Sequence, residues 1–165
     1  MLLSVKKYYI SESKIHGRGV FARKNIKKGE VAFIAKGRLT NWEVKDAKTS
    51  ATGPNWLGIS QNLWLNPKKE NPLTFMNHSC GPNLGIKGKV SFVALKDIKK
   101  GEELTFDYSI TEGDTLWHLP YRCNCGSKNC RKTVRSVQFL PKKTFSKYLP
   151  YIPRYFQRLY TVEQA

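Results

Sequence analysis

The sequence predicts a mostly β fold of small packed sheets with short helices at the edges. Two observations carry this. The first third of the chain alternates in the manner of strands, and one strand-turn-strand corner occurs twice. Val20-Phe-Ala-Arg-Lys-Asn-Ile-Lys-Lys-Gly-Glu-Val-Ala-Phe33 matches Phe92-Val-Ala-Leu-Lys-Asp-Ile-Lys-Lys-Gly-Glu-Glu-Leu-Thr-Phe106, so that Lys24 corresponds to Lys96. In each copy the isoleucine is the expected buried pin. Gly29 and Gly101 are expected to supply a backbone conformation that a Cβ resists. Two copies are too few for a solenoid and read as two corners of one small β fold.

In chain order, Lys7-Tyr-Tyr-Ile-Ser-Glu-Ser13 is a short mixed strand. Gly19–Ala22 enters the first corner and Val31–Ile34 leaves it. Asn41–Thr52 is a candidate short helix, and Gly53-Pro-Asn starts a loop. Asn62-Leu-Trp-Leu-Asn-Pro67 reads as a strand, Lys68–Asn71 as a polar turn, and Asn77-His-Ser-Cys-Gly-Pro-Asn83 as a polar loop full of turn formers. The second corner ends at Phe106-Asp107-Tyr108, which reads as core aromatics around an exposed acid. Near the end, Phe145, Tyr148, Leu149, Ile152, Tyr155, Phe156 and Leu159 fall at helical spacing, and Pro150 and Pro153 divide them between two short helices. Such a stripe fits a membrane surface or a partner, but more often packs on its own domain, and that is the expectation here.

At 165 residues, with 40% hydrophobic, the chain suits one domain with a real core and small appendages. Its charge is less ordinary: 29 Lys and Arg against 12 Asp and Glu give +17. That field favours DNA, a nucleoprotein complex or an acidic protein surface as partner, while a solvated lysine-rich surface explains it equally well. Met1-Leu-Leu-Ser-Val-Lys-Lys lacks the apolar core of a signal peptide, and no stretch is long enough to span a bilayer. The expected location is intracellular, cytoplasmic in a prokaryote and nuclear in a eukaryote, with no membrane partner and a monomeric state.

Four cysteines are present: Cys80, at the end of Asn77-His78-Ser79-Cys80, and the run Cys123-Asn-Cys125-Gly-Ser-Lys-Asn-Cys130. Four thiols suit one tetrahedral zinc. Paired disulfides would need an oxidising compartment, and Cys123 and Cys125 are too close in sequence to bond each other comfortably. Inert buried thiols are the other alternative, but clustering around Gly126 and Lys128 looks like a ligand knuckle.

Singly, the remaining polar motifs are weak. His16-Gly-Arg-Gly19 is neither a dinucleotide fingerprint nor a phosphate-cradling loop. A lone His78 is more often a hydrogen-bonded loop residue than a catalyst. No serine or cysteine has an obvious base partner, and the carboxylates are dispersed. In order, the motifs say more: Gly-Arg-Gly-Val-Phe-Ala, then Asn-His-Ser-Cys-x-Pro-Asn, then Gly-Glu-Glu-Leu-Thr-Phe-Asp-Tyr, then Cys-x-Cys-x4-Cys. From about Ser11 to Lys132 the chain resembles the SET-domain protein lysine methyltransferases with a zinc-binding post-SET segment.

The resemblance implies a SET-domain fold with a threaded, pseudoknot-like C-terminal segment. It implies a catalytic unit over 1–116, a zinc segment over 117–133 and a helical tail over 134–165 packing on the domain. It also implies S-adenosylmethionine as methyl donor on one face and a target lysine of a protein substrate entering a channel from the other. By position, backbone at Gly17, Arg18 and Gly19 would meet the donor's methionine end. Asn77 would hold its amino or ribose side, and His78 would meet the adenine through its main chain. Tyr108 matches the catalytic tyrosine, which also borders donor and channel. Phe106 matches the channel aromatic that sets room for further methyl groups, and its lack of a hydroxyl implies more than monomethylation. Cys80, Cys123, Cys125 and Cys130 match the ligands of one structural zinc. Ala35-Lys-Gly37 departs from a common Tyr-x-Gly and Thr74-Phe75 from a common Arg-Phe, while 41–71 matches nothing closely. A catalytically inactive SET-like module that binds protein or nucleic acid is the alternative, and a zinc nucleic-acid binder ranks behind it.

Overall fold

The computed structural model describes residues 6–43 and 56–163. Its strands are β1 (Tyr8–Glu12), β2 (Arg18–Ala22), β3 (Val31–Ile34), β4 (Gly37–Asn41), β5 (Leu57–Ser60), β6 (Leu63–Pro67), β7 (Asn77–His78), β8 (Leu84–Lys87), β9 (Ser91–Ala94) and β10 (Glu103–Phe106). They form three small sheets, ordered β1-β2-β10-β7, β3-β9-β8 and β4-β6-β5. Two helices close the chain, α1 (Lys142–Tyr148) and α2 (Arg154–Glu163). The fold is thus mostly β with short helices. No helix among the described residues is long and apolar enough to cross a membrane.

The repeated corners are each other's partners. Ile26 and Ile98 form an antiparallel bridge in which each N–H donates to the other's carbonyl, at 2.9 and 2.8 Å. The exchange extends outward in kind. Gly29 N–H donates to the Ala94 carbonyl at 2.7 Å, and Gly101 N–H to the Ala22 carbonyl at 2.8 Å. The Lys28 amide donates to Asp97 Oδ1 and the Lys100 amide to Asn25 Oδ1, both at 2.9 Å. Residues at equivalent places in the repeat therefore satisfy each other's buried backbone groups, a local pseudo-two-fold. Gly29 and Gly101 have φ of +80° and +87°, where a Cβ would be strained. Both isoleucines are buried in the core.

That crossing leads each corner into a different sheet. β10 lies antiparallel to β2 on one side and parallel to β7 on the other, with Thr105 opposite Asn77 and Phe106 opposite His78. The polar loop after β7 is not loosely held. Asn83 accepts the Thr105 N–H at 2.9 Å and donates Nδ2–H to the Glu103 carbonyl at 2.7 Å, doing for β10 what a strand edge would do.

Several boundaries differ from expectation. Asn41 closes β4, and the rest of the expected short helix, 44–52, lies outside the described residues together with the loop at Gly53. The strand expected at 62–67 starts at Leu63, because Asn62 takes φ +55° in the tight turn from β5; asparagine tolerates that region better than most residues. The tail forms its two helices on either side of Pro150 and Pro153. Phe145, Tyr148, Ile152, Phe156 and Tyr160 are buried in the main core, and the Phe145 and Tyr160 rings stack at 3.7 Å. Leu149 instead faces outward. Asp107, expected to be exposed, is 0% exposed.

Candidate active site

Three strand ends meet at one place: the start of β2, the whole of β7 and the end of β10. Asn77 joins them. Its Nδ2 donates to the carbonyls of His16 and Arg18, each at 3.1 Å, and to Glu103 Oε1 at 2.8 Å. The turn before β2 is thereby fixed against β10, with Gly17 at φ +47°. Gly19 has no room for a side chain, since a Cβ there would collide with the Glu103 carboxylate. Gly17, Arg18, Asn77, Phe106 and Tyr108 all line a cavity of about 570 Å³.

Tyr108 follows β10 immediately. Its hydroxyl donates to the Met76 carbonyl at 2.6 Å, and its ring lies 4.9 Å from Phe106 and 5.3 Å from His78. Phe106 continues the aromatic line inward onto Phe92 and Phe33, at 5.2 and then 4.5 Å. Burial raises the Tyr108 phenol, with the charges of Tyr121 and Glu103 adding to it. It therefore stays protonated and donates. His78 does not point its ring into the cavity. It is buried, its Nδ1 accepts the Tyr108 N–H at 3.2 Å, and its Nε2 lies 3.3 Å from Cys80 Sγ. An Nδ1 that accepts leaves the proton on Nε2, directed at sulfur. Burial, against the opposing charge of Asp107, lowers this imidazole to about 4, so it is neutral at pH 7.

Asp107, between the two aromatics, points away from the cavity. Arg131 binds it with two hydrogen bonds, at 2.6 Å to Oδ2 and 2.8 Å to Oδ1. Tyr148 of α1 donates to Oδ2 at 3.0 Å, and the Ser109 N–H to Oδ1 at 3.1 Å. Burial alone would raise this carboxyl; the Arg131 bonds and charge outweigh it and hold the group below the usual carboxylate range.

Arg131 also reaches the cysteines, its N–H donating to Cys80 Sγ at 3.4 Å. The four Sγ atoms of Cys80, Cys123, Cys125 and Cys130 lie within 4.8 Å of one another. The Cys80 N–H donates to Cys125 Sγ at 3.4 Å. Burial pushes the Cys80 thiol up to about 11 and raises Cys123 as well. Four sulfurs so placed, two resisting ionisation by themselves, suit a soft cation that holds them as thiolates. Leu119 and Val134 complete a small apolar cluster around them.

Sequence reasoning missed the rest of the lining. Tyr121, just ahead of the cysteine run, stacks on His16 at 5.6 Å, so the cysteine segment closes over the Gly17 turn. The Arg18 guanidinium sits 4.3 Å above the Phe75 ring. Trp42 and Trp56 meet edge to face at 6.0 Å, and Trp64 Nε1 donates to the Trp42 carbonyl at 3.1 Å. Ala35 is buried in the core and does not line the cavity; its walls take their aromatics from these tryptophans. Four tryptophans in a short chain were the available signal, but nothing in their spacing showed that they converge.

The SET-domain family model matches residues 17–109. The chain belongs to the SET-domain family. Among its relatives, "Histone-lysine N-methyltransferase trithorax" of Drosophila virilis is 36% identical over 137 residues, covering 74% of this chain and 3% of that protein. "Histone-lysine N-methyltransferase 2B" of Homo sapiens is 32% identical over 136 residues, covering 74% of this chain and 5% of that protein. This SET chain thus spans a small part of the length of those relatives. The crystal structure of KRYPTONITE in complex with mCHH DNA, H3(1-15) peptide and SAH shares the SET fold, with a TM-score of 0.58 and 23% identity over 77% of this chain and 29% of that one.

Removing one partner from a buried ion pair leaves the other uncompensated. Asp107→Asn is therefore expected to lower unfolding free energy at pH 7 by roughly 3–5 kcal/mol. Adding Arg131→Met should recover part of the loss, because the stranded guanidinium is gone. Urea unfolding of both variants checks this, and a double variant less stable than Asp107→Asn alone contradicts the assignment.

Proposed function

We propose that the chain transfers methyl groups from S-adenosylmethionine to the ε-amine of a lysine in a protein substrate. The observation that carries this reading is the seat of Tyr108. Its hydroxyl is fixed on the Met76 carbonyl inside a cavity whose other walls include the Gly17–Arg18 turn, Asn77 and Phe106. The relatives named histone-lysine N-methyltransferase support the same reading.

The residues suit the donor. The turn at Gly17 and Gly19 brings backbone to the cavity, and a cavity of about 570 Å³ accommodates a ligand of nucleoside size. The donor supplies an activated methyl group whose transfer leaves an uncharged thioether, so no acid is required of the protein. What remains is alignment and exclusion of water. The lysine must arrive as a free amine, and burial in an aromatic channel favours that form. Tyr108 orients it through the hydroxyl and the carbonyl to which that hydroxyl is bound, and the rings of Tyr108 and Phe106 sheathe the alkyl stem. A phenol held up by burial does not serve as base. Phe106 offers no hydroxyl to anchor a water beside the amine, which supports products beyond monomethyl-lysine.

Zinc is the cation that best suits the four sulfurs. At about 2.3 Å from each, it would bring them to tetrahedral spacing with little movement. Its part is structural: it would hold the segment carrying Tyr121 and Arg131 over the cavity.

Mass spectrometry of methyl-lysine on a panel of lysine-rich proteins tests the activity. Tyr108→Phe is expected to lower kcat by about 10²–10³-fold. The rate should rise with pH as the substrate amine loses its proton, with no further limb from Tyr108, since that phenol titrates above the lysine. An unchanged kcat in Tyr108→Phe rejects the role. Native mass spectrometry is expected to find a single zinc on the chain and none held tightly by Cys80→Ser; equal affinity in that variant rejects the ligand set. Finally, the +17 balance and a groove lined by Lys6, Lys7, Lys36 and Lys68 support a DNA-associated substrate. Added duplex DNA should then raise methylation of a basic protein at low salt, the gain fading as salt rises. Indifference to DNA at every salt concentration removes that part.

A further inference from the structure

The chain has four tryptophans, Trp42, Trp56, Trp64 and Trp117, and all four line the same cavity as Tyr108. Two carboxylates, Glu112 and Asp114, line it with them. Both come directly after the helical turn Tyr108–Thr111 that follows the candidate catalytic tyrosine. Neither is accounted for within the fold. Asp114 Oδ1 caps the Leu116 N–H at 3.0 Å, but Oδ2 is buried with no hydrogen-bond partner. The Glu112 side chain is half-buried and makes no hydrogen bond among the described residues. Burial, reinforced by the charge of Asp114, holds its carboxyl well above the usual range.

A buried carboxylate oxygen without a partner is costly, and native proteins rarely keep one that a ligand does not use. Ring faces and carboxylates are the two environments that bind an organic cation best. Here both occur in one recess of a protein with 29 basic and 12 acidic side chains. At long range such a chain repels a basic segment; within a Debye length, the local pair of acids decides. We propose that the tryptophan-lined recess with Glu112 and Asp114 binds a second cationic side chain, arginine or lysine, close to the target lysine. The substrate class is then a protein segment with neighbouring basic residues. This rests on the methyl-transfer reading for the identity of the target, and on the recess alone for the second cation.

Because every tryptophan lines the cavity, intrinsic fluorescence of the full chain reports its occupancy without any turnover. The probes are short amidated peptides with one lysine and an arginine one or two positions to either side. Each has a twin in which citrulline replaces arginine, keeping shape and removing charge. With S-adenosylhomocysteine present, at least one register is expected to bind about tenfold tighter than its citrulline twin, as for a hydrogen bond to a charged group. In Glu112→Gln/Asp114→Asn that preference should fall below about twofold. The unfolding temperature serves as the folding check, and Glu112→Gln alone should halve the preference or better if the double variant does not fold. The proposal is overturned if no register favours arginine, or if the preference survives substitution of the acids. Charge discrimination without methyl transfer to any peptide would reject the enzymatic reading and keep the cation site. Equal methylation of both twins would do the reverse.

Discussion

The buried contact between Asp107 and Arg131 is the constraint on which the rest of the site depends. Asp107 belongs to the catalytic sheet, Arg131 to the cysteine segment and Tyr148, which also binds that carboxylate, to the C-terminal helices. Three parts of the chain with little shared core are thus held by one fully buried side chain. Such a pair is seldom retained for net stability alone, because desolvation cancels much of the attraction. What it supplies is direction: a bidentate fork admits one relative orientation, and that orientation sets Tyr121 over the Gly17 turn. The His78 ring works alongside it, accepting from the Tyr108 amide while its other nitrogen meets Cys80. The metal-ligand cluster and the catalytic tyrosine are therefore two bonds apart in a rigid line.

The crossed corners perform the corresponding task for the sheets. β2 and β10 come from different copies of the repeat and lie side by side, and β10 then pairs with β7. This brings Asn77 opposite Thr105 and leaves Tyr108 at the edge of the cavity. Asn77 spends its amide protons on the turn before β2 and on Glu103, so the wall facing a donor molecule is set before any ligand arrives.

How much of this was legible in the sequence depended on the range of the interaction. The strand-turn-strand corners were visible because a repeat and a glycine at a fixed place are local signals. The four cysteines were visible because a metal knuckle has its own spacing. The pairing of Ile26 with Ile98 was not, since nothing in either copy says that it binds the other. Asp107 was misread for a related reason: an acid between two aromatics looks exposed unless its arginine, far downstream in an unrelated motif, is known to fold back. β4, β5 and β8 escaped notice because Gly37, Gly58 and Gly85 interrupt their apolar pattern at places where a neighbouring chain comes close. The convergence of the tryptophans on the cavity is wholly a product of tertiary packing, and no periodicity encodes it.

The reciprocal corners also bear on how the chain is made. While the ribosome has delivered only the first copy, Ile26 and the carbonyl of Ala22 have no partner, and their complement is a stretch of chain not yet synthesised. An identical emerging corner on a neighbouring polypeptide offers the same groups, which is the condition for exchange between molecules. Lys24, Lys27 and Lys28 are all exposed on that corner, and Lys96, Lys99 and Lys100 on its copy. Two nascent chains meeting through this surface would press like charges together, whereas within one molecule Glu30, Asp97 and Glu102 accompany the lysines. The basic turns thus act as gatekeepers of biogenesis, keeping a self-complementary motif waiting for its own second half.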